Sequence, residues 1–208
     1  RGNNSESNLD LLESEGLGFH YVGGLKKNQV AELYAVPKSS YKPLACPEDA
    51  PEKYESLTTY RMRAAVLGRE ATTVIVYNPE LEKGQLQGIQ ANIEKTKSEL
   101  LEIQGKLFKR SKGELKKGKK PTFERVSKAV SKILARREYM DDIFEYEILE
   151  KDNHLFLTFS DSEDKLNVIR EEQLGKTALF TDRADMSDYE IISASKFRYV
   201  KMDNKYWF

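Results

Sequence analysis

Apolar residues fall at every second position on both sides of Gly68: Tyr60, Met62, Ala64 and Val66 before it, Thr72, Val74 and Val76 (with one threonine) after it. A period of two sets one face of a strand against a core, and the glycine supplies the turn, so residues 57–78 are predicted as a β-hairpin. The alternation returns at Phe144, Tyr146 and Ile148 and at Leu155, Leu157 and Phe159, around Asp152-Asn153, and predicts a second pair of strands over 143–160. Between the two the period changes. Leu86, Ile89, Ile93, Leu100, Ile103 and Leu107 keep a four-three spacing broken only at Thr96, and Phe123, Val126, Val130 and Ile133 repeat it. Two amphipathic helices over 81–140 follow. They either bury each other's seams as an antiparallel helical hairpin or pack side by side on a sheet.

The flanks read differently. Ser5 or Asn8 can cap a helix through "SNLDLLESE", with Leu9, Leu11 and Leu12 on its apolar face and Gly16 and Gly18 to stop it. "FHYVGGLK" then alternates as a short strand. Residues 35–56 hold four of the six prolines, which bars long regular elements and suits an exit from one domain into another. Further on, "SEDKLNVIREEQ" is a short helix, and Thr177 to Thr181 form a compact apolar run bounded by Gly175 and Asp182, as expected of a buried strand. Ser187-x-x-Glu190 is a capping box that starts a helix at about residue 188, running to the end of the chain. Helix alternating with strand at both ends gives an α/β (α+β) class.

Composition narrows the chemistry. Of the 208 residues 33% are charged, and 34 basic side chains balance 34 acidic ones, so any electrostatic attraction must be local. Cys46 is the single cysteine, which excludes an internal disulfide and a cysteine-rich zinc site. His20 and His154 stand alone. No apolar run approaches the ~18 residues of a membrane span, and the N-terminus lacks a signal-peptide pattern, so a soluble, cytoplasmic protein is expected, with no membrane partner.

One local field stands out. "KRSKGELKKGKKP", residues 109–121, carries Lys109, Arg110, Lys112, Lys116, Lys117, Lys119 and Lys120 against Glu114 alone. Two glycines and Pro121 argue for a flexible loop. Such a loop either contacts phosphates, gaining free energy by counterion release without reading sequence, or is a solubilising hairpin tip.

The two ends of the chain carry a resemblance. "RGNNSESNLDLLESEGLGFHYVGGLK" resembles the stretch after the second catalytic aspartate of DDE transposases of bacterial and archaeal insertion sequences, where the pattern is Asp, one residue, Gly-Asn-Asn-Ser. "GKTALFTDRADMSDYEIISASKFRYV" is similar to the final strand and helix of the same RNase H-like catalytic domain. The resemblance implies the C-terminal half of an RNase H-like fold cut from a longer protein: residues 1–34 and 176–208 belong to the catalytic domain, and residues 35–175 form an inserted domain of β-hairpins and an antiparallel helical hairpin. It also implies that strands 19–26 and 176–181 lie side by side.

Such enzymes cleave and join DNA with three carboxylates that hold two Mg²⁺ ions roughly 3.5 to 4 Å apart, hard cations that take oxygen ligands. The implied partners are DNA, as transposon ends and target, and a second subunit. The second aspartate would lie one position before Arg1. The family's helix motif is Tyr, two residues, Arg, three residues, Glu. Aligned on Arg198, it places Ser195 at the Tyr and Met202 at the Glu. A thioether does not hold Mg²⁺ against water. Either Asp203 supplies the oxygen, about 100° further round the helix, or the gene has decayed, which is the reading preferred here. Asp182, at the mouth of the buried strand, is a second substitute or simply a turn aspartate. The expectation is a transposase fragment, inactive alone and needing no cofactor by itself, with a non-enzymatic coiled-coil adaptor carrying a basic tip as the alternative.

Overall fold

The computed structural model describes residues 5–14, 20–115, 118 and 120–196. The described residues form seven α-helices and seven strands: α1 (Glu6–Ser14), β1 (Val22–Leu25), α2 (Ala31–Tyr34), β2 (Lys42–Pro43), β3 (Thr58–Val66), β4 (Arg69–Tyr77), α3 (Pro79–Ser111), α4 (Phe123–Leu134), α5 (Met140–Ile143), β5 (Phe144–Lys151), β6 (His154–Asp161), α6 (Glu163–Gln173), β7 (Lys176–Thr181) and α7 (Asp188–Lys196). They divide into two units, residues 1–83 with 171–208, and residues 84–170. Among them no helix is long and apolar enough to cross a membrane.

The first unit is built on a five-stranded antiparallel sheet in the order β1-β7-β4-β3-β2. β7 runs between β1, with Gly23 opposite Phe180, and β4, with Thr73 opposite Phe180. Both faces of β7 are covered at Ala178–Phe180, which is why these successive positions are all apolar although the pairing is antiparallel. Ala178 and Phe180 join Leu9, Tyr21, Leu25, Tyr34, Tyr41 and Ile75 on one side. Leu179 joins Val74, Val76, Ile191 and Ile192 on the other, where α7 packs on the sheet. The adjacency expected of segments 19–26 and 176–181 is present, as Val22–Leu25 against Ala178–Thr181.

The division of the chain differs from the expected one. The expected inserted domain takes in residues 35–83 with the hairpin over 57–78; instead β4 pairs with β7 from Thr72–Thr181 to Tyr77–Lys176, so the hairpin belongs to the same sheet as the chain ends. The proline-rich stretch is no exit either. Its prolines exclude long elements but allow two short 3₁₀ turns, 38–40 and 52–54, and they leave Tyr41, Leu44, Tyr54 and Leu57 buried in the two cores. The hairpin expected around Gly68 forms, closed by a two-residue loop, Leu67-Gly68, at φ 49° and 77°.

Gly175 leads into β7 at φ 74°, and a Cβ there would meet the Tyr77 ring at 2.7 Å and the Asn78 carbonyl at 2.9 Å. Only glycine fits. The next residue, Lys176, looks like a surface lysine in sequence yet is 5% exposed. Its Nζ donates to the carbonyls of Tyr34 and Val36 at 2.6 and 2.9 Å, which satisfies groups orphaned at the C-terminal end of α2. Burial first, then Lys38, pull its pKa down to about 8, while Glu171 and Glu172 oppose. A lysine whose folded pKa is depressed is charged in the unfolded chain alone between about 8 and its ordinary value, so stability rises with pH across that window. Urea denaturation at pH 7.5 and 9.5 is therefore expected to show wild type gaining stability relative to Lys176→Met on alkalinisation; a constant difference would contradict the assignment.

In the second unit, α3 buries Ile89, Ile93, Thr96, Leu100 and Leu107 on one face. The threonine that interrupts the apolar pattern has a partner: Arg137 donates to Thr96 Oγ1 at 3.2 Å and to Glu99. Both helices are drawn onto the β5–β6 hairpin. α4 packs on β5, and on α3 Gln104 donates to the Leu157 carbonyl at 2.8 Å while Lys97 pairs with Asp161 at 3.0 Å. Arg136 and Arg137, just after α4, also reach Glu99 of α3, so the contacts carry elements of both expected arrangements. The turn Asp152-Asn153, at φ 50° and 66°, is the predicted one.

Candidate functional site

The first candidate is the end of β7, where Asp182 stands at the mouth of the buried strand as the substitute ligand considered above. Asp182 Oδ1 accepts from the Tyr21 backbone N–H at 3.1 Å, and Oδ2 lies 2.7 Å from His20 Nδ1. Both oxygens thus tie the chain entering β1 to the end of β7. The loop that follows is fixed from β3: Arg61 donates to the carbonyls of Ala184 and Met186 and to Asp188 Oδ1, each at 2.8 Å, and Thr59 donates to Asp188 Oδ2 at 2.7 Å. Arg183 grips Asp185 and holds its carboxyl down at about 2. The capping box at the start of α7 forms as read, with the Ser187 N–H donating to Glu190 Oε2 at 2.7 Å and the Glu190 N–H to Ser187 Oγ at 3.2 Å. The backbone bond from Ser187 keeps the Glu190 carboxyl below its ordinary range.

These contacts make a rigid corner from which α7 departs in a fixed direction. The carboxylates Asp182, Asp185, Asp188 and Glu190 each have their own hydrogen-bond partner, and among the described residues no three His, Cys, Asp or Glu side chains converge to hold a metal ion. Asp182 has the geometry of a structural aspartate; a cation there would have to displace His20 and the Tyr21 amide. Arg198, Met202 and Asp203 lie outside the described residues.

The second candidate is the basic tip. Lys109 and Arg110 are not in a loop: they form the last turn of α3, where cations offset the partial negative charge of the helix end. Gly113, at φ 75°, ends the helix, its N–H donating to Arg110 O at 3.0 Å and that of Glu114 to Lys109 O at 2.9 Å, a Schellman arrangement. The sequence put two glycines in a flexible connection, and one of them is the stop signal. Lys112 sits 5.6 Å over the exposed Phe108 ring, and Lys120 Nζ is 3.4 Å from Asn153 Oδ1 on the β5–β6 turn. Lys116, Lys117 and Lys119 lie outside the described residues. Residues the charge pattern did not mark, Thr122, Phe123, Asn153 and His154, gather beside the same tip around a cleft. The turn signal at Asp152-Asn153 and the cap at Thr122 are visible in sequence, but their convergence is not.

Comparison of the chain with protein-family models, with curated proteins and with solved structures gives no match in any of the three.

Proposed function

We propose that the chain is a C-terminal part of a prokaryotic DDE-type insertion-sequence transposase, belonging to an enzyme that cleaves and joins DNA with Mg²⁺, and that it is inactive by itself. The observation that carries this reading is the pairing of β1 with β7 across about 150 residues of sequence, with the helix-capping corner directly behind β7. A family that threads extra structure between two neighbouring strands requires such a pairing. The family motif at Arg198 and the position of Met202 follow α7 in sequence and lie outside the described residues. The RNase H-like assignment of the two ends is part of the same proposal, as are DNA and a second subunit as partners.

The coding sequence upstream of Arg1 tests it. An Asp codon immediately before the Arg1 codon, and a second within a strand-coding stretch further back, are expected. An open frame lacking both removes the transposase reading and favours a non-enzymatic adaptor with a basic tip, while stop codons or frameshifts mark a decayed element.

For the tip, sequence-independent duplex binding is expected, falling with salt at a log-log slope near 0.9 per phosphate engaged. Reversing Lys109, Lys112, Lys116 and Lys120 to Glu is expected to remove about 3.6 from that slope and to abolish binding at ~0.15 M salt. Unchanged binding by that variant, followed by filter retention or fluorescence anisotropy, leaves the tip as a solvated helix end.

A further inference from the structure

Beside the basic tip is a cleft of about 470 Å³, within the ~300–1,000 Å³ typical of small-molecule sites. It is walled by the last turns of α3, by Leu115, Lys120 and Pro121 of the connection that follows, by the start of α4 and by the β5–β6 turn with its flanking residues. Its chemistry is zoned. Leu107 and Leu155, 5% and 7% exposed, give an apolar floor. Arg110 and Lys120 bring two cations, against the single carboxylate of Glu150. Asn153 contributes a carboxamide with both donor and acceptor, and Lys120 holds its Oδ1 at 3.4 Å.

Phe123 is the informative residue. The other large apolar residues of α4, Val126, Val130, Ile133 and Leu134, are buried, whereas Phe123 at the cleft is 56% exposed. It is the first residue of the helix, directly after the Thr122 cap, whose Oγ1 accepts from the Arg125 N–H at 3.4 Å. A cap needs no aromatic ring after it, and leaving this one in water forgoes the burial free energy of the most apolar group at the cleft. A flat ring in the ligand would recover it, since aromatic side chains offer stacking faces to any base.

We propose that this cleft binds a nucleotide, its base against Phe123 and the apolar floor and its phosphate between Arg110 and Lys120. Asn153 and Glu150 offer the acceptors and donor that a base edge requires. A duplex is too large for the cleft; the ligand is a free mononucleotide or one unpaired nucleotide of a strand, and the two share this chemistry. The site does not depend on the chain being part of a transposase.

The test is titration of the whole chain with the four nucleoside 5′-monophosphates, with the matching nucleosides, with inorganic phosphate and with a short 5′-phosphorylated single strand, by calorimetry and by chemical-shift mapping. At least one monophosphate is expected to saturate below about 1 mM, the nucleoside to bind at least ~10-fold more weakly, and shifts to centre on Asn153, His154 and Phe123. Phe123→Ala and Lys120→Gln, both at exposed positions, are each expected to weaken binding by ~10-fold, consistent with the stacking and charged contacts they remove. Tighter binding of the strand assigns the site to nucleic acid, and equal binding assigns it to free nucleotide. No saturable binding of any probe up to about 10 mM, or binding unaltered in both variants while their circular dichroism is native, overturns the proposal.

Discussion

Phe180→Ala is expected to lower the stability of the first unit by ~3–5 kcal/mol, the range for truncating a fully buried phenylalanine. The ring is inaccessible, lies on the strand shared by β1 and β4, and meets the Tyr21 ring at 5.6 Å between centroids and 58° between planes. Its cross-strand neighbour on β1 is Gly23, which has no side chain to move into the void. Its neighbour on β4 is Thr73, buried and short, with a hydroxyl that has no hydrogen-bond partner among the described residues and that a new cavity would not satisfy. The cost therefore belongs at the upper part of the range, because the site collapses poorly. Denaturant unfolding with an unchanged slope and a lower midpoint is the expected signature. A loss below ~1 kcal/mol would mean that β7 is not a buried inner strand of the sheet, and the pairing on which the functional proposal rests would fall with it.

Much of the local structure was legible because local rules decide it. Both hairpins appear in the alternation, and their turns fall where Leu67-Gly68 and Asp152-Asn153 adopt positive φ. The Ser187 capping box forms from the two residues that spell it. Long-range choices left no such mark. The apolar run of β7 showed that both its faces are covered, and the resemblance implied β1 as one neighbour, but nothing marked β4 as the other or that both run antiparallel to it. For that reason a boundary placed at the prolines near residue 35 cut the sheet in two. Proline content reports the absence of long elements, whereas the boundary depends on which side chains share a core; Tyr41 and Leu57 share theirs with the ends of the chain.

The candidate sites divide the same way. Asp182 was singled out for its place after a buried strand, and its position is as expected, but its role follows from His20 and the Tyr21 amide, more than 160 residues earlier in sequence. Arg61, which fixes the loop before α7, sits at an outward position of a hairpin and reads as an ordinary solvated cation. Lys176 reads the same way, and only the carbonyls at the end of α2 explain its burial. At the basic tip the charges were plain in sequence. Gly113 was a stop rather than a source of flexibility, because a positive-φ residue next to a cationic turn completes a helix end.

The largest functional effect is expected from one substitution outside the described residues. On the proposed reading three carboxylates of such an enzyme fix two Mg²⁺ ions, and the family's third position falls on Met202. Met202→Glu by itself is expected to leave this chain unable to nick DNA, since one carboxylate cannot hold two hard cations in register against water. In a longer protein carrying both upstream aspartates, the same change is expected to raise Mg²⁺-dependent nicking of a terminal-repeat substrate by orders of magnitude, beyond the roughly 10–100-fold that outer-shell partners of a metal site control. The reverse experiment separates decay from substitution. If the longer protein with Met202 already cleaves, Asp203→Asn and Asp182→Asn identify the ligand that took over. Asp203 would have to reach the ions from about 100° round the helix, and Asp182 would have to release His20 and the Tyr21 amide, freeing the start of β1. Loss of cleavage in Asp182→Asn with unchanged thermal stability would assign Asp182 to metal. Loss of both together would make it the tie between β1 and β7 that its hydrogen bonds describe.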